Sequence, residues 1–306
     1  MEQRRICVVG SLNMDLVAQT PRLPTAGETL IGGPFATFPG GKGANQAVAA
    51  ACAGALVTMI GCVGDDGYGK SLRAGLAAAG IDIQYVAERP DVSSGLALIT
   101  VAPGGQNTII VAPGANAALT TEDIEQCSAA IIAAKLLLLQ LEVPLSVVLR
   151  AAVFARAAGT TVVLNPAPAQ SLPPEVLQCA DILIPNETEA AALTGITPVD
   201  WSTAEAAARR LREMGASTVV LTLGSRGALL VAAEATVRQP AYHVDAVDAT
   251  AAGDAFVGAF AVAIAEGRTP AEAMRWGAAA GALAATRHGA QPSLPARNAI
   301  LALVEG

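Results

Sequence analysis

The sequence predicts an α/β fold: a mostly parallel central sheet covered by helices on both faces, with a small β-sheet over one edge. Three observations predict it. Apolar, β-branched runs alternate with Ala-rich helical stretches in the order βαβα, which requires parallel strands joined by right-handed crossovers. The runs are continuously apolar rather than alternating, the pattern of strands covered on both faces. Two Pro/Gly-rich insertions break the rhythm and contribute short β-like pieces of their own.

The bulk properties fit one packed unit. With 306 residues, 53% hydrophobic and 15% charged, the chain can fill a large core and is not disordered. A net charge of −7 excludes the broad basic surface that nucleic acid demands. An anionic substrate must therefore be held by local dipoles and a few cations. The five cysteines, Cys7, Cys52, Cys62, Cys127 and Cys179, are odd in number and lack CxxC spacing. They read as free thiols in a reducing cytosol rather than a disulfide framework or zinc site, so a cytoplasmic location is expected.

In chain order, "MEQRRICVVG" is charged before a short apolar run and lacks a signal-peptide core of adequate length. The first strand is expected at Ile6–Gly10. The uncharged stretch from Ala44 to Gly64 is broken by Gly54 and turns Val/Ile-rich in its second half. It reads as a buried helix, a turn and a strand at Val57–Val63, not as a membrane span. Further strands are expected at Leu136–Leu141, Thr161–Asn165, Asp181–Ile184 and Thr218–Leu223, with helices such as Pro144–Ala158 and Thr203–Met214 between them. A last β segment is expected around Ala241–Val247, leading into an Ala-rich helix at Phe256–Ala265. The insertions, approximately 12–39 and 94–112, supply the small sheet, the second as a hairpin around Pro103–Asn107. This sheet is expected to act as a lid or partner surface. No long linker or repeat interrupts the sequence, so 1–306 is read as a single domain carrying that lid.

Ligands of open α/β sheets bind beyond the carboxyl ends of the strands. Polar residues follow strand after strand here: Asn13 and Asp15, Glu142, Asn165, Asn186, the turn "GSRG", and "DATAAGDAF" from Asp248 to Phe256. Each alone has a plain reading as a cap or turn residue; together they describe one elongated cleft. "GGKGANQA", Gly40 to Ala47, precedes a helix. Its glycines admit close backbone approach and Lys42 can meet anions or hydroxyls, yet it is neither a Walker A nor a Rossmann sequence. "TLGSRG", Thr222 to Gly227, suits wrapping an adenine or phosphate tail, or is an ordinary hairpin turn. Asn186 and Glu189, three residues apart near a helix start, suit a hydrated Mg²⁺ or form a capping pair. Asp254, at the mouth of the last helix, is either an N-cap or a catalytic base beside an anion-binding helix end.

On "GGKGANQAVAA", "DATAAGDAFVGAF", "NPAPA", "PNETEA", "LTLGSRG" and "GAQPS", the chain resembles the phosphofructokinase-B-type (ribokinase-like) sugar kinase family over nearly its whole length. The resemblance implies a ribokinase-like three-layer αβα sandwich. It implies ATP-dependent phosphorylation of D-ribose at O5 to D-ribose 5-phosphate. The alternatives are a kinase for 2-deoxyribose or a nucleoside, or a non-catalytic sugar-binding regulator on the same fold. Carried over by position, Asn13, Met14, Asp15, Gly41, Lys42, Gly43, Ala44, Asn45 and Glu142 would line the sugar pocket. Asn186, Thr222, Leu223, Gly224, Ser225, Arg226, Gly227 and Ala278 would line the nucleotide site. Ala251, Ala252, Gly253 and Asp254 would form the anion hole, with Asp254 the base. K⁺ would be held by Asp248, Thr250, Ala284, Arg287, Gly289 and Ser293, partly through backbone oxygens, and Mg²⁺ would lie near Asn186 and Glu189. A homodimer through the lid is implied, with no membrane or nucleic-acid partner. Ala251 stands where many relatives have Gly, and Ala278 where His or Asn is common.

Overall fold

A computed structural model describes residues 4–306 of the protein. The chain begins β1 (Arg5–Val9), β2 (Asn13–Gln19), β3 (Phe35–Gly40), α1 (Lys42–Cys52), β4 (Leu56–Gly64), α2 (Gly67–Ala78) and β5 (Asp82–Arg89). It continues through β6 (Gly95–Val101), β7 (Asn107–Ala112), α3 (Thr121–Gln126), α4 (Ser128–Ala133), β8 (Leu136–Leu139), α5 (Leu145–Ala158) and β9 (Thr161–Leu164). Then come α6 (Pro174–Gln178), β10 (Ile182–Leu183), α7 (Glu187–Thr194), α8 (Trp201–Glu213), β11 (Thr218–Thr222), β12 (Ala228–Val231) and β13 (Thr236–Gln239). Helices α9 (Ala252–Ala265), α10 (Pro270–Ala285) and α11 (Arg297–Glu305) close the chain.

Nine strands form the main sheet in the order β13-β12-β11-β10-β9-β8-β1-β4-β5. From β11 to β5 neighbouring strands pair in parallel, and every such pair except β8 and β1, which are not successive main-sheet strands along the chain, is linked by a crossover that carries helix. Strand β1 shows why the runs are continuously apolar. Ile6 and Val8 enter a core on one face with α1, α9 and α10; Cys7 and Val9 enter another on the opposite face with α5 and α8. The result is the three-layer αβα sandwich expected from the sequence.

The edge beyond β11 differs from expectation. No strand forms at Ala241–Val247; the last two strands are β12 and β13, both antiparallel. The short run "ALLV" follows a tight turn directly and folds back as a hairpin. The segment at 241–247 imitates a strand by alternation, but the amides of Val247 and Asp248 go to the carbonyl of Ala285 at the end of α10.

Helix α9 begins at Ala252, earlier than expected, inside the motif itself. It is buried from Asp254 to Ala263 and packs between α1 and α10. A Cβ on Gly258 would lie 2.5 Å from the Cβ of Ala49 and 2.9 Å from the amide of Ala50. Only glycine lets the two helices approach this closely, and that approach sets the distance across the site.

A second, four-stranded sheet has the order β3-β2-β6-β7. Strand β2 leaves the carboxyl end of β1 after three residues and pairs antiparallel with β3 and parallel with β6. The outer strand β7 is exposed throughout and presents Ile109, Ile110 and Val111.

Candidate active site

The carboxyl ends of β1 and β8, the start of α1 and the start of α9 meet at one point. Gly41 makes the turn into α1 at φ 88°, where a Cβ would lie 2.7 Å from the amide of Asn13. Gly43 packs its Cα directly on the β1 exit; a Cβ there would lie 2.5 Å from the amide of Ser11. Side-chain-free approach thus presses the first turn of α1 against the end of β1. The Oε2 of Glu142, just after β8, accepts from the amide of Lys42 at 2.9 Å and from the hydroxyl of Ser11 at 2.5 Å. A carboxylate at the opening of α1 also complements the positive end of the helix dipole.

Asp254 stands in the first turn of α9 and is 8% exposed. Its Oδ2 accepts from Asn45 Nδ2 at 3.0 Å and its Oδ1 from Gln46 Nε2 at 3.0 Å. The N-cap position belongs to Ala251, and the Asp254 carboxylate accepts from α1 rather than from its own helix. The capping alternative for Asp254 is thereby set aside. Ala251 turns into α9 at φ 58°, left-handed backbone that costs a residue with a Cβ about 1–2 kcal/mol. The amide of Ala252 turns back to Ala249. Among the described residues, the amides of Gly253 and Asp254 meet no backbone acceptor, so the start of α9 presents two bare donors.

The charges of four carboxylates act on one ammonium. Burial pulls Lys42 down, but Asp254, Glu142, Glu189 and Asp15 together hold it above its ordinary value. Burial pushes Asp254 up, opposed by Lys42 and by the donors Asn45 and Gln46. Asp15, on β2, is pushed up to about 7 by burial and by the charges of Glu142 and Asp254, with Lys42 opposing. Its carboxylate lies so close to Gly40 that any side chain there would collide with it. Asn13 and Met14 are buried beside it at the start of the same strand, and Asn13 Oδ1 accepts from Asn116 Nδ2 at 2.7 Å. The structure therefore gathers Asn13, Met14, Asp15, Gly41, Lys42, Gly43, Ala44, Asn45, Glu142 and Asp254 at the strand ends.

The remaining candidates lie along the same edge. Strands β10 and β11 are neighbours, and Thr222 donates through its amide to Pro185 O at 2.9 Å, which ties Asn186 and the 222–227 turn together. That turn is the β11–β12 hairpin connection, with a short 3₁₀ turn at Gly224–Arg226 and Arg226 reaching Glu187 at 3.3 Å. Asn186 and Glu189 do form a reciprocal capping box, and burial raises Glu189. Ala278 is half-buried in the middle of α10. Asp248 accepts from Thr250 Oγ1 at 2.6 Å and from the Gly289 amide at 2.9 Å, joining the start of the motif to the 284–293 segment. Among the described residues no three His, Cys, Asp or Glu side chains are arranged to hold a metal ion. A cation here would rely on carbonyl and hydroxyl oxygens or on water.

Four polar residues escaped the sequence reading: Ser11, Gln46, Asn116 and Gln140, all buried. Gln140 ends the run "LLLLQ" and Gln46 sits inside "GGKGANQA", so both carried the signal used for their neighbours. A cavity of about 380 Å³ lies at the opposite, amino-terminal edge of the sheet, lined by Arg5, Leu56, Thr58, Asp82 and Tyr85. The convergent polar groups, not that cavity, mark the site, because the buried side chains that hydrogen-bond Asp254 and Glu142 lie at the other edge.

Comparison with known proteins places the chain among carbohydrate kinases. The sequence model of the pfkB family carbohydrate kinases matches residues 3–297. The ribokinase of Haemophilus influenzae is 42% identical over 303 residues, covering 99% of both chains. The deoxyribokinase of Salmonella typhi is 40% identical over 292 residues, covering 95% of each. The structure of Arabidopsis thaliana ribokinase complexed with ribose and ATP superposes with a TM-score of 0.93 at 34% identity, covering 99% of both chains.

Proposed function

The chain belongs to the pfkB family of carbohydrate kinases, and from that premise we propose that it transfers a phosphoryl group from ATP to O5 of D-ribose, giving D-ribose 5-phosphate and ADP. The observation that carries the reading is the convergence of Asp254, held by Asn45 and Gln46, with two bare amides at the start of α9.

The sugar sits against Asn13, Asp15, Lys42, Asn45 and Glu142, whose polar atoms hold its hydroxyls. Met14, Gly41, Gly43 and Ala44 shape the wall. Asp254 accepts the proton of the attacking hydroxyl as the oxygen–phosphorus bond forms and the bond to ADP breaks. The amides of Gly253 and Asp254 receive the transferred group, and Ala251 and Ala252 leave it room. The nucleotide lies along Asn186, Thr222 to Gly227 and Ala278.

Mg²⁺, when bound, neutralises charge on the phosphates; Glu189, whose charge acts on Lys42 and Asp254, would hold it through water. The oxygens of Asp248, Thr250, Ala284, Arg287, Gly289 and Ser293 fit a monovalent cation such as K⁺, and Asp248 already links both halves of that cage. The four-stranded sheet is the lid, and its exposed apolar strand β7 is the dimer surface. Among the described residues no helix is long and apolar enough to cross a membrane, and the proposed location is the cytoplasm.

A second reading, 2-deoxyribose as substrate, has support in the deoxyribokinase of Salmonella typhi, 40% identical to the chain. A pocket that hydrogen-bonds a hydroxyl rejects the analogue lacking it. ATP turnover measured on ribose, 2-deoxyribose and nucleosides is expected to give the highest kcat/KM with ribose. Equal or better use of 2-deoxyribose would reverse the assignment, and no turnover with any sugar would leave only a binding protein.

A further inference from the structure

Behind the carboxylate of Asp254 runs a chain of buried side-chain amides. Gln46 Nε2 donates to Asp254 Oδ1 and to Asn165 Oδ1, both at 3.0 Å. Gln46 Oε1 accepts from Gln140 Nε2 at 2.6 Å. Asn165 Nδ2 donates onward to the carbonyl of Ile184 at 2.8 Å. Gln46 and Gln140 are fully buried and Asn165 is 9% exposed.

The two ends of this chain accept only: an ionised carboxylate and a backbone carbonyl. That fixes every amide between them. Gln46 must turn its nitrogen to Asp254, so its oxygen needs a donor, and Gln140 is the donor that supplies it. Asn165 must turn its oxygen to Gln46, so its nitrogen goes to Ile184. The orientation has a cost that the fold tolerates: Gln140 Oε1 is left buried without a partner. The room for that oxygen exists because residue 10 is glycine; a Cβ there would collide with it. Gln46 makes no hydrogen bond to the other carboxylates of the sugar pocket, Asp15 and Glu142.

We propose that Gln46 is a positioning residue for phosphoryl transfer: its amide fixes the carboxylate plane of Asp254, and Gln140 fixes the amide of Gln46 in turn. The inference rests on the reading of Asp254 as the base. With Asn45 on one oxygen and Gln46 on the other, the carboxylate cannot rotate without breaking a charge-assisted hydrogen bond. The remaining lone pairs are thereby aimed, and one of them takes the hydroxyl proton. Both donors also favour the ionised form over the protonated one.

The charged groups acting on Asp254 are Lys42 on α1, Glu142 after β8, Asp15 on β2 and Glu189 on α7. None of them changes in Gln46→Met, which keeps the side-chain length and removes the donor. The test is the single-turnover rate at saturating ribose and ATP as a function of pH. Gln46→Met is expected to move the acid limb of that profile upward by about one to two pH units, with ribose KM changed less than about threefold. Gln140→Met is expected to move it in the same direction by less, since it acts one hydrogen bond away. A slower Gln46→Met variant whose acid limb stays in place would overturn the proposal, because lost packing lowers a rate without moving a titration. If Gln46→Met does not fold, an unmoved limb in Gln140→Met overturns it equally. Asp254→Asn, run beside them, separates the two readings. Near-parental rates there would remove the base and this inference together, whereas a collapsed rate with unmoved limbs in the glutamine variants would remove this inference alone.

Discussion

Asp254 in the first turn of α9 and Asn45 in the first turn of α1 are 209 residues apart in sequence, and their side chains lie 3.0 Å apart. The helices can stand this close because Gly258 of α9 faces Ala49 and Ala50 of α1 without a side chain. The contact turns an acid that could have capped its own helix into one held from outside, with its lone pairs free for a substrate.

Asp254→Asn is therefore expected to cost activity and not the fold. Asn keeps the size of the side chain but takes up no proton at neutral pH. The turnover rate should fall by about 10²–10⁴-fold, with ribose KM moving much less because the loss falls on the transition state. Steady-state kinetics with a melting curve of the same sample decide it. A folded variant with near-parental kcat would remove Asp254 from the mechanism.

Two glycines should respond in opposite ways to the same added methyl. A Cβ on Gly253 meets nothing within 4 Å, so Gly253→Ala should keep or raise the melting temperature, as Ala is the better helix former by ~1 kcal/mol. It should still lower kcat at least about tenfold, because the methyl enters the space proposed for the phosphoryl group. A Cβ on Gly43 would lie 2.5–2.7 Å from backbone atoms of Ser11 and Gly10, so Gly43→Ala should destabilise the protein by about 1–3 kcal/mol. Melting curves that rank the two the other way would contradict this packing.

Asp15 should make stability depend on pH in a particular direction. Its carboxyl is raised from 3.8 in the unfolded chain to about 7 in the fold, so the folded state holds a proton that the unfolded state releases between those values. The stability linked to this group is present in full below pH 3.8 and lost as pH rises to about 7. Asp15→Asn, neutral throughout, should thus gain more over the parent at pH 8 than at pH 5, by about 2 °C or more in melting temperature. The same variant should bind ribose more weakly at pH 8. An equal melting difference at the two pH values would show that Asp15 is not raised.

The cation cage proposed at Asp248 should make the enzyme respond to K⁺ more than to Na⁺ or Li⁺. Asp248 joins Thr250, just before the proposed anion hole, to Gly289, so ordering it orders the turn into α9. Asp248→Ala should reduce the K⁺ activation at least about threefold, read as the ratio of kcat with and without K⁺ in a buffer of bulky organic cations. Full parental activity without any small cation would count against the cage.

The layers and the chemistry on offer were legible in the residues alone. Runs such as "LLLL" at 136–139 and "TVVL" at 161–164 have no polar face, so they can only be inner strands, and with intervening Ala-rich helices they leave one architecture. The polar residues after them lie at the carboxyl edge because all the strands from β11 to β5 run the same way. Short elements at the rim were less legible. Two four-residue strands, β12 and β13, lie next to turns, and the strand expected around 241–247 does not form, the amides of Val247 and Asp248 meeting a helix end instead. Asn186 and Glu189 were legible as a pair, and the capping box they form follows from spacing alone.

Which side chain holds which follows from long-range packing. Periodicity and turn chemistry are local, reaching a few residues along the chain. The hydrogen bonds of Asp254 with Asn45 and Gln46, of Gln46 with Gln140, and of Glu142 with Ser11 each span 94 to 209 residues. They exist because glycines at 10, 43 and 258 bring backbones together where no side chain intervenes, and because buried polar groups must pair with whatever the packing places beside them. The left-handed turn at Ala251 belongs to the same class: nothing local favours that conformation for alanine, and the surrounding fold imposes it.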